Sequence, residues 1–295
     1  MARTRDAAKR QKVAVVESAL FNPDVVFLLA ALLDARDLCR VSLTCKALGG
    51  KQAEYNGLSL VEAAARRMFE CASEWERSCL PKYDDERWIE LYHHLLMLRS
   101  KLTFDQLVGN SIQYGADQST VQTLAPNERS CSTALCSNHV MRSGRHFAAF
   151  TKFAAFGSAI GVVRPVQINR SDFDDGALRE FSPRMQRFRE YLRGKQTDRW
   201  NDSNVQCCAV GIYGGFCWSD WTRDKEDTWI EGFQGGAPIG LLLDLDDGTL
   251  SMYQNGRSLG VLKDGLSGEY CWFTAMYGTV FGDPITIKRG LAPND

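Results

Sequence analysis

Pro238-Ile239-Gly240-Leu241-Leu242-Leu243-Asp244-Leu245-Asp246-Asp247-Gly248-Thr249-Leu250-Ser251-Met252-Tyr253-Gln254-Asn255-Gly256-Arg257-Ser258-Leu259-Gly260 contains two turn signals with strand patterning around them. Asp247-Gly248 and Asn255-Gly256 are favoured two-residue hairpin turns, because such turns need positive φ. Residues 239–243 are continuously apolar apart from Gly240, as in a strand buried on both faces. Leu250 and Met252 alternate with Thr249, Ser251 and Tyr253, the period of a strand with one buried face. The stretch therefore predicts three consecutive antiparallel strands.

Glycines and turn signals multiply on either side, from about Gly109 onward. Four further blocks lie in order: Ser143-Gly144-Arg145-His146-Phe147, Ala159-Ile160-Gly161-Val162-Val163, Cys217-Trp218-Ser219-Asp220-Trp221, and Tyr270-Cys271-Trp272-Phe273-Thr274-Ala275-Met276-Tyr277-Gly278 followed by Ile285-Thr286-Ile287. Together with the opening stretch, they resemble the SPRY domain family over residues 130–292. The resemblance implies two antiparallel sheets packed face to face. It also implies a protein or peptide ligand held on end loops, where sandwich folds concentrate function. The loops that correspond are Tyr213, Gly214 and Gly215 leading to Trp221, and Tyr277, Gly278 and Thr279. Tyr and Trp among glycines make adaptable contacts at low entropic cost. Each Trp has core packing as its alternative role, which is assigned to Trp218, Trp229 and Trp272.

Residues 165–204 form a charged insertion containing Arg170, Arg179, Arg184, Arg187, Arg189, Arg193 and Arg199. Ser182-Pro183 opens a short helix with Met185, Phe188 and Leu192 on one side, and Gly194 ends it. Acidic residues nearly balance the arginines. A solvated helix lying on the sandwich is expected, with an anion-binding patch as the alternative.

The N-terminal third is helical. Asn22-Pro23-Asp24 is a helix start, and residues 25–33 are almost entirely apolar. Asp34 caps a second helix bearing Leu38, Val41, Cys45 and Leu48, which Gly49-Gly50 stops. Ser59-Leu60-Val61-Glu62 reads as a capping box. It opens a third helix with the stripe Val61, Ala65, Met68, Ala72, Trp75 and Cys79, ended by Pro81. Asp84 or Asp85 opens a fourth, with Trp88, Leu91, Leu95 and Leu98 inward. Leu33-Asp34, Asp37-Leu38, Ser42 and Cys45-Lys46, set behind the apolar helix, resemble an F-box. The chain departs from that pattern at Asn22, where the family has Leu, and in lacking a Trp after Cys45-Lys46. The resemblance implies docking of the small adaptor of cullin–RING ubiquitin ligases through Leu28, Leu32, Leu33 and Leu38. The alternative packs residues 25–33 against the chain's own Trp75 and Trp88 helices.

The expected organisation is α+β by segregation: a basic tail over 1–18, a helical F-box-like domain over 19–108, a polar linker over 109–129 and an all-β sandwich over 130–292. The chain has 295 residues, 44% hydrophobic and 24% charged, which is enough for two cores. A formal net charge of -1 gives no global basic field for nucleic acid. The basic tail lacks the apolar core of a secretory signal, and no run is long enough to span a membrane. It reads as a solvated tail or a nuclear signal. The ten cysteines lack paired metal-binding spacings, and Cys131, Cys136 and His139 form an isolated C-x4-C-x2-H. Reduced thiols in the cytoplasm or nucleus are expected.

No nucleophile–base pair, phosphate loop or elbow motif is present, and His93-His94 are adjacent on a helix and so point apart. Asp244 and Asp246 share one strand face and could suggest paired carboxylates, but the family resemblance makes them structural. No catalytic residue, metal or cofactor is therefore assigned. The expected function is non-enzymatic recognition as a ubiquitin-ligase substrate receptor. The alternatives are a scaffold without a ubiquitin role and a sugar-binding sandwich.

Overall fold

The computed structural model describes residues 22–44, 46–124, 131–151, 158–169, 186–200, 205–211, 217–219, 222–223, 230–277 and 284–290. The chain divides into two compact units, Met1–Arg99 and Ser100–Asp295. The first is helical, and the second is a β-sandwich whose described residues include the α-helix Gln186–Gly194.

In the first unit α1 (Pro23–Ala30) starts where the sequence expects. The Asn22 side chain accepts from Asp24 N at 2.9 Å. Asp34 Oδ1 accepts from Asp37 N at 2.8 Å and caps α2 (Ala35–Thr44). α3 (Lys46–Gly49) follows. α4 (Leu60–Glu70) and α5 (Glu74–Cys79) replace the single third helix expected from the apolar stripe. The break has a local cause. Ser73 and Glu76 form a full capping box, so the chain ends one helix and starts another despite the continuing period.

α6 (Trp88–Arg99) starts at Trp88, later than the Asp84 or Asp85 start expected. Val26, Ala30, Leu38, Val61, Ala65, Leu91 and Leu95 form the centre of this unit's core. Trp75 does not join it and is exposed on α5.

The sandwich begins earlier than expected. β1 (Gln106–Val108) falls within the stretch expected to be the helical domain, and β2 (Ile112–Tyr114) and β3 (Thr120–Thr123) fall within the stretch read as a linker, so residues 106–124 belong to the β unit. The strands that follow are β4 (Cys131–Leu135), β5 (Arg145–Thr151), β6 (Ala159–Val163), β7 (Cys207–Gly211), β8 (Cys217–Ser219), β9 (Thr222–Arg223), β10 (Ile239–Asp244), β11 (Thr249–Gln254), β12 (Arg257–Lys263), β13 (Cys271–Tyr277) and β14 (Ile285–Arg289). The described strands form two sheets, ordered β1-β4-β13-β6-β7-β8-β9 and β12-β11-β10-β5-β14-β3-β2. Every described pairing is antiparallel.

The meander is present as β10, β11 and β12. Asn255 and Gly256 have φ of 53° and 76°, as a two-residue turn of this hand requires. The other turn is longer than expected. Asp244 pairs with Thr249, leaving 245–248 as a four-residue loop in which Gly248 has φ 67°.

Between the sheets lies one core that includes Phe104, Phe150, Ile160, Leu241, Met252 and Trp272. Phe150 of β5 and Trp272 of β13 meet edge-on across it, 6.3 Å between centroids. This places Trp272 in the core. The first sheet is buried on its outer face too. There α7 (Gln186–Gly194) lays Phe188 and Leu192 against Val163, Cys207, Cys271 and Phe273, with Trp200 beside them. The charged insertion thus supplies a lid for the sheet. Its amphipathic spacing explains why strands β4, β6 and β7 carry no exposed face. Below this lid Arg164 is fully buried. Its Nη1 donates to the carbonyls of Ser267 at 2.7 Å and Glu269 at 3.0 Å, and its guanidinium lies 4.1 Å from the Tyr270 ring centroid.

Candidate functional site

Strand register locates the roots of the expected ligand loops. Ala275 of β13, Ala159 of β6 and Gly211 of β7 stand in one line across the first sheet. β13 and β7 run in the same direction, so both end at this edge. The connections 212–216 and 278–283 therefore leave the same end of the sheet, two strands apart, or roughly 10 Å at the usual strand spacing. Cys131 pairs with Tyr277, so β4 starts at that end as well.

Tyr213, Gly214, Gly215, Gly278 and Thr279 themselves lie outside the described residues, as does the Tyr277 side chain. Trp221 is also outside them, and its flanking residues belong elsewhere. Ser219 and Thr222 pair across β8 and β9 at the opposite end of β8 from Cys217. The chain thus roots the Tyr213-to-Gly215 part of the first expected loop beside the second and roots the Trp221 part of the first apart from both.

The two aspartates of the opening stretch do not share a strand face. Asp244 ends β10, and its Oδ1 accepts from the backbone N–H of Asp246 and of Asp247, each at 3.1 Å. Asp246 sits in the turn and accepts from Gly144 N at 2.9 Å and Ser143 Oγ at 3.2 Å. Arg145 pairs with Asp244 at 3.4 Å. His146 Nε2 lies 2.9 Å from the Ser143 carbonyl, which can only accept, so that nitrogen carries the proton. Burial pushes the His146 pKa down to about 4, which keeps the ring neutral. These carboxylates tie two sequence blocks together, a structural role.

Cys131, Cys136 and His139 do not gather either. His139 Nε2 faces Thr103 N and Oγ1, both at 3.3 Å, and Cys131 and Cys136 belong to different faces of the first sheet. Burial raises the Cys136 thiol pKa well above its ordinary value. Among the described residues, no group of three His, Cys, Asp or Glu could hold a metal ion. No helix among them is long and apolar enough to cross a membrane.

The second candidate surface is on the helical unit. Leu28 and Leu32 are 71% and 82% exposed, one turn apart along the outer side of α1 and the turn after it. Leu29 adds to this strip, and Leu43 of α2 is 82% exposed. Leu33 is half-buried, and its carbonyl accepts from Tyr92 OH at 3.3 Å. Leu38 is 1% exposed and belongs to the core, so it supports α2 from beneath and offers no surface.

The apolar helix is therefore not packed away against Trp75 and Trp88. Val26 and Ala30 face inward, and the leucines face out. Leu29 and Leu43 are the surface leucines that the sequence reading missed. Leu43 is three residues from Arg40, on the polar side of a helix whose inward stripe is Leu38 and Val41, and that helical phase would have marked it.

No protein-family model matches the chain, and no curated protein matches it. Among solved structures, the crystal structure of the SPRY domain of human HERC1 aligns with a TM-score of 0.41 at 15% identity, covering 62% of this chain and 98% of that one. The crystal structure of the TRIM65 PSpry domain aligns with a TM-score of 0.40 at 15% identity, covering 65% of this chain and 95% of that one.

Proposed function

We propose that this chain is a non-enzymatic recognition protein of two working parts. The sandwich holds a protein or peptide at the loops rooted at the Tyr277 end of its first sheet. The helical unit docks the small adaptor of a cullin–RING ubiquitin ligase, which makes the chain a substrate receptor in the cytoplasm or nucleus.

The observation that carries this reading is the leucine strip of α1. A unit that buries Val26, Ala30 and Leu38 as a proper core still leaves Leu28, Leu29 and Leu32 in solvent. A contiguous apolar helix face is the kind of surface a partner's groove takes up. The F-box-like spacing of Leu33-Asp34, Asp37-Leu38 and Cys45-Lys46 supports the adaptor as that partner.

Co-purification of the full chain with the adaptor tests the helical part. The complex is expected with the native chain and lost with Leu28→Asp and with Leu32→Asp. A chain that stays free of adaptor at micromolar concentrations of both overturns it. Affinity capture followed by mass spectrometry, comparing the native chain with Tyr213→Ala and Thr279→Arg, tests the loops. A prey set unchanged by both substitutions overturns the placement of the ligand site there.

A further inference from the structure

Unpaired charges of opposite sign bracket the leucine strip of α1. Asp24, Leu28 and Leu32 stand at i, i+4 and i+8 and form one row along the outer side of α1 and the turn after it. That turn keeps helical bonding, with Leu32 N donating to the Leu29 carbonyl at 2.9 Å and Leu33 N to the Ala30 carbonyl at 3.3 Å. Arg36 follows in the first turn of α2. All four side chains are exposed. Arg40 is paired with Asp37 at 3.1 Å, but among the described residues neither Asp24 nor Arg36 is in an ion pair.

Beside this row runs a groove between α1 and α4. Phe27, Leu28 and Met68 line a void of about 320 Å³, and Asp24 stands at its wall. A ridge beside a groove, with acid at one end and base at the other, makes a patch complementary to itself. We propose that this face pairs with the same face of a second copy of the chain, the two α1 helices running antiparallel about a two-fold axis.

Helix direction gives the register. In an antiparallel pair, a step forward along one helix is a step back along the other. Setting Leu28 against Leu32 of the second copy therefore brings Asp24 to the end of the strip where Arg36 of that copy stands. The two-fold axis repeats both contacts. The same register points Leu32, 82% exposed, at the groove that Leu28 lines. Charge sets the orientation, because a parallel pair would oppose Asp24 to Asp24 and Arg36 to Arg36.

So small an interface is weak, with a dissociation constant on the order of 10 µM. In the dimer the strip that adaptor docking uses is occupied, so self-association closes that face until a tighter partner displaces the second copy. The pairing needs only the exposed row. A chain that dimerises and ignores the adaptor keeps this inference and loses the adaptor reading.

Sedimentation equilibrium of the full chain tests the pairing. The native chain is expected to pass from monomer to dimer between about 1 µM and about 200 µM. Leu32→Asp, Asp24→Arg and Arg36→Asp are each expected to raise the dissociation constant by at least about tenfold. An equimolar mixture of the Asp24→Arg and Arg36→Asp chains is expected to dimerise with native affinity, because each arginine then meets an aspartate across the interface. A misfolded variant cannot give that rescue. A native chain that stays monomeric through the whole range leaves the strip to a partner of another kind and overturns the proposal. A dimer that survives Leu32→Asp, or single charge variants that the mixture does not rescue, places the contact elsewhere and overturns it as well.

Discussion

The Glu62 carboxylate on α4 accepts the backbone N–H of Trp88, the first residue of α6, at 2.7 Å, and its other oxygen accepts from Arg87 Nε at 3.0 Å. A helix start leaves N–H groups without intrahelical partners. Here a side chain from another helix satisfies one of them and fixes where α6 begins. Glu62→Ala removes this cap and leaves a sheltered donor unpaired. The expected loss is about 2 kcal/mol of helical-unit stability. Glu62→Gln keeps an acceptor and is expected to lose less. Urea unfolding followed by far-UV circular dichroism separates the two, and equal midpoints for the alanine variant and the native chain would refute the cap.

The same glutamate shows where sequence patterns stop informing. Ser59 and Glu62 have capping-box spacing, and Ser59 Oγ does accept from Glu62 N at 3.1 Å. The reciprocal half is missing because the carboxylate is engaged at Trp88, a residue 26 positions on that local spacing cannot anticipate. The true box at Ser73 and Glu76 lay hidden within an apolar stripe, since Ala72 and Cys79 continue the helical period across the break. The meander was legible because Asn255 and Gly256 encode their own backbone angles. β2 and β3 were not, because each is short and polar at Gln113 and Gln122, which pair with each other. Their place depends on non-local pairing of β3 with β14. At the proposed ligand end, the order of family-like blocks pointed to the loops. Only the sheet register shows that the 212–216 and 278–283 connections share an edge while Trp221 is flanked at the other end of β8.

Glu76 also links α5 to α6. Its Oε1 accepts from Arg99 Nε at 2.6 Å and its Oε2 from Arg99 Nη2 at 3.0 Å. The Arg99 hydrogen bonds are the main cause holding the Glu76 pKa down at about 2, with the Ser73 donors adding to them. A carboxylate with a lowered folded pKa stabilises above its unfolded value, and that stability is lost as pH falls through the window from about 4.5 to about 2. The helical unit is expected to weaken across this window, and Glu76→Gln is expected to flatten that part of the curve while lowering stability at pH 7. Thermal melts of both chains at closely spaced pH values check the slope.

His146 gives the sandwich a separate acid response. Its ring is buried and neutral, with a folded pKa near 4 against an ordinary 6.5. Between these values the unfolded chain binds a proton that the folded chain refuses, so stability falls as pH drops from 6.5 towards 4 and is unaffected above 6.5. The loss reaches at most about 3 kcal/mol at the acid end. His146→Gln keeps a donor for the Ser143 carbonyl and removes the titration, so the sandwich transition is expected to become flat in this range. A variant that retains the native slope would assign the response to another group.

The α7 lid makes the last prediction, and adjacent cysteines provide its readout. Cys207 faces outward under Phe188 and Leu192, whereas Cys208 points into the core between the sheets. Cys271 shares the outer face, and burial holds its thiol pKa well above the ordinary value, which keeps the reactive thiolate scarce. Phe188→Ala removes a fully buried ring, worth about 3–5 kcal/mol where the surroundings cannot relax. A surface helix can instead lift off alone, so the global cost is expected to be smaller and the local one larger. Alkylation of Cys207 and Cys271 should then speed up by at least tenfold while Cys208 and Cys136 stay protected. If Cys208 reacts as fast as Cys207, the two sheets have parted, and α7 is an integral layer of the sandwich and not a lid upon it.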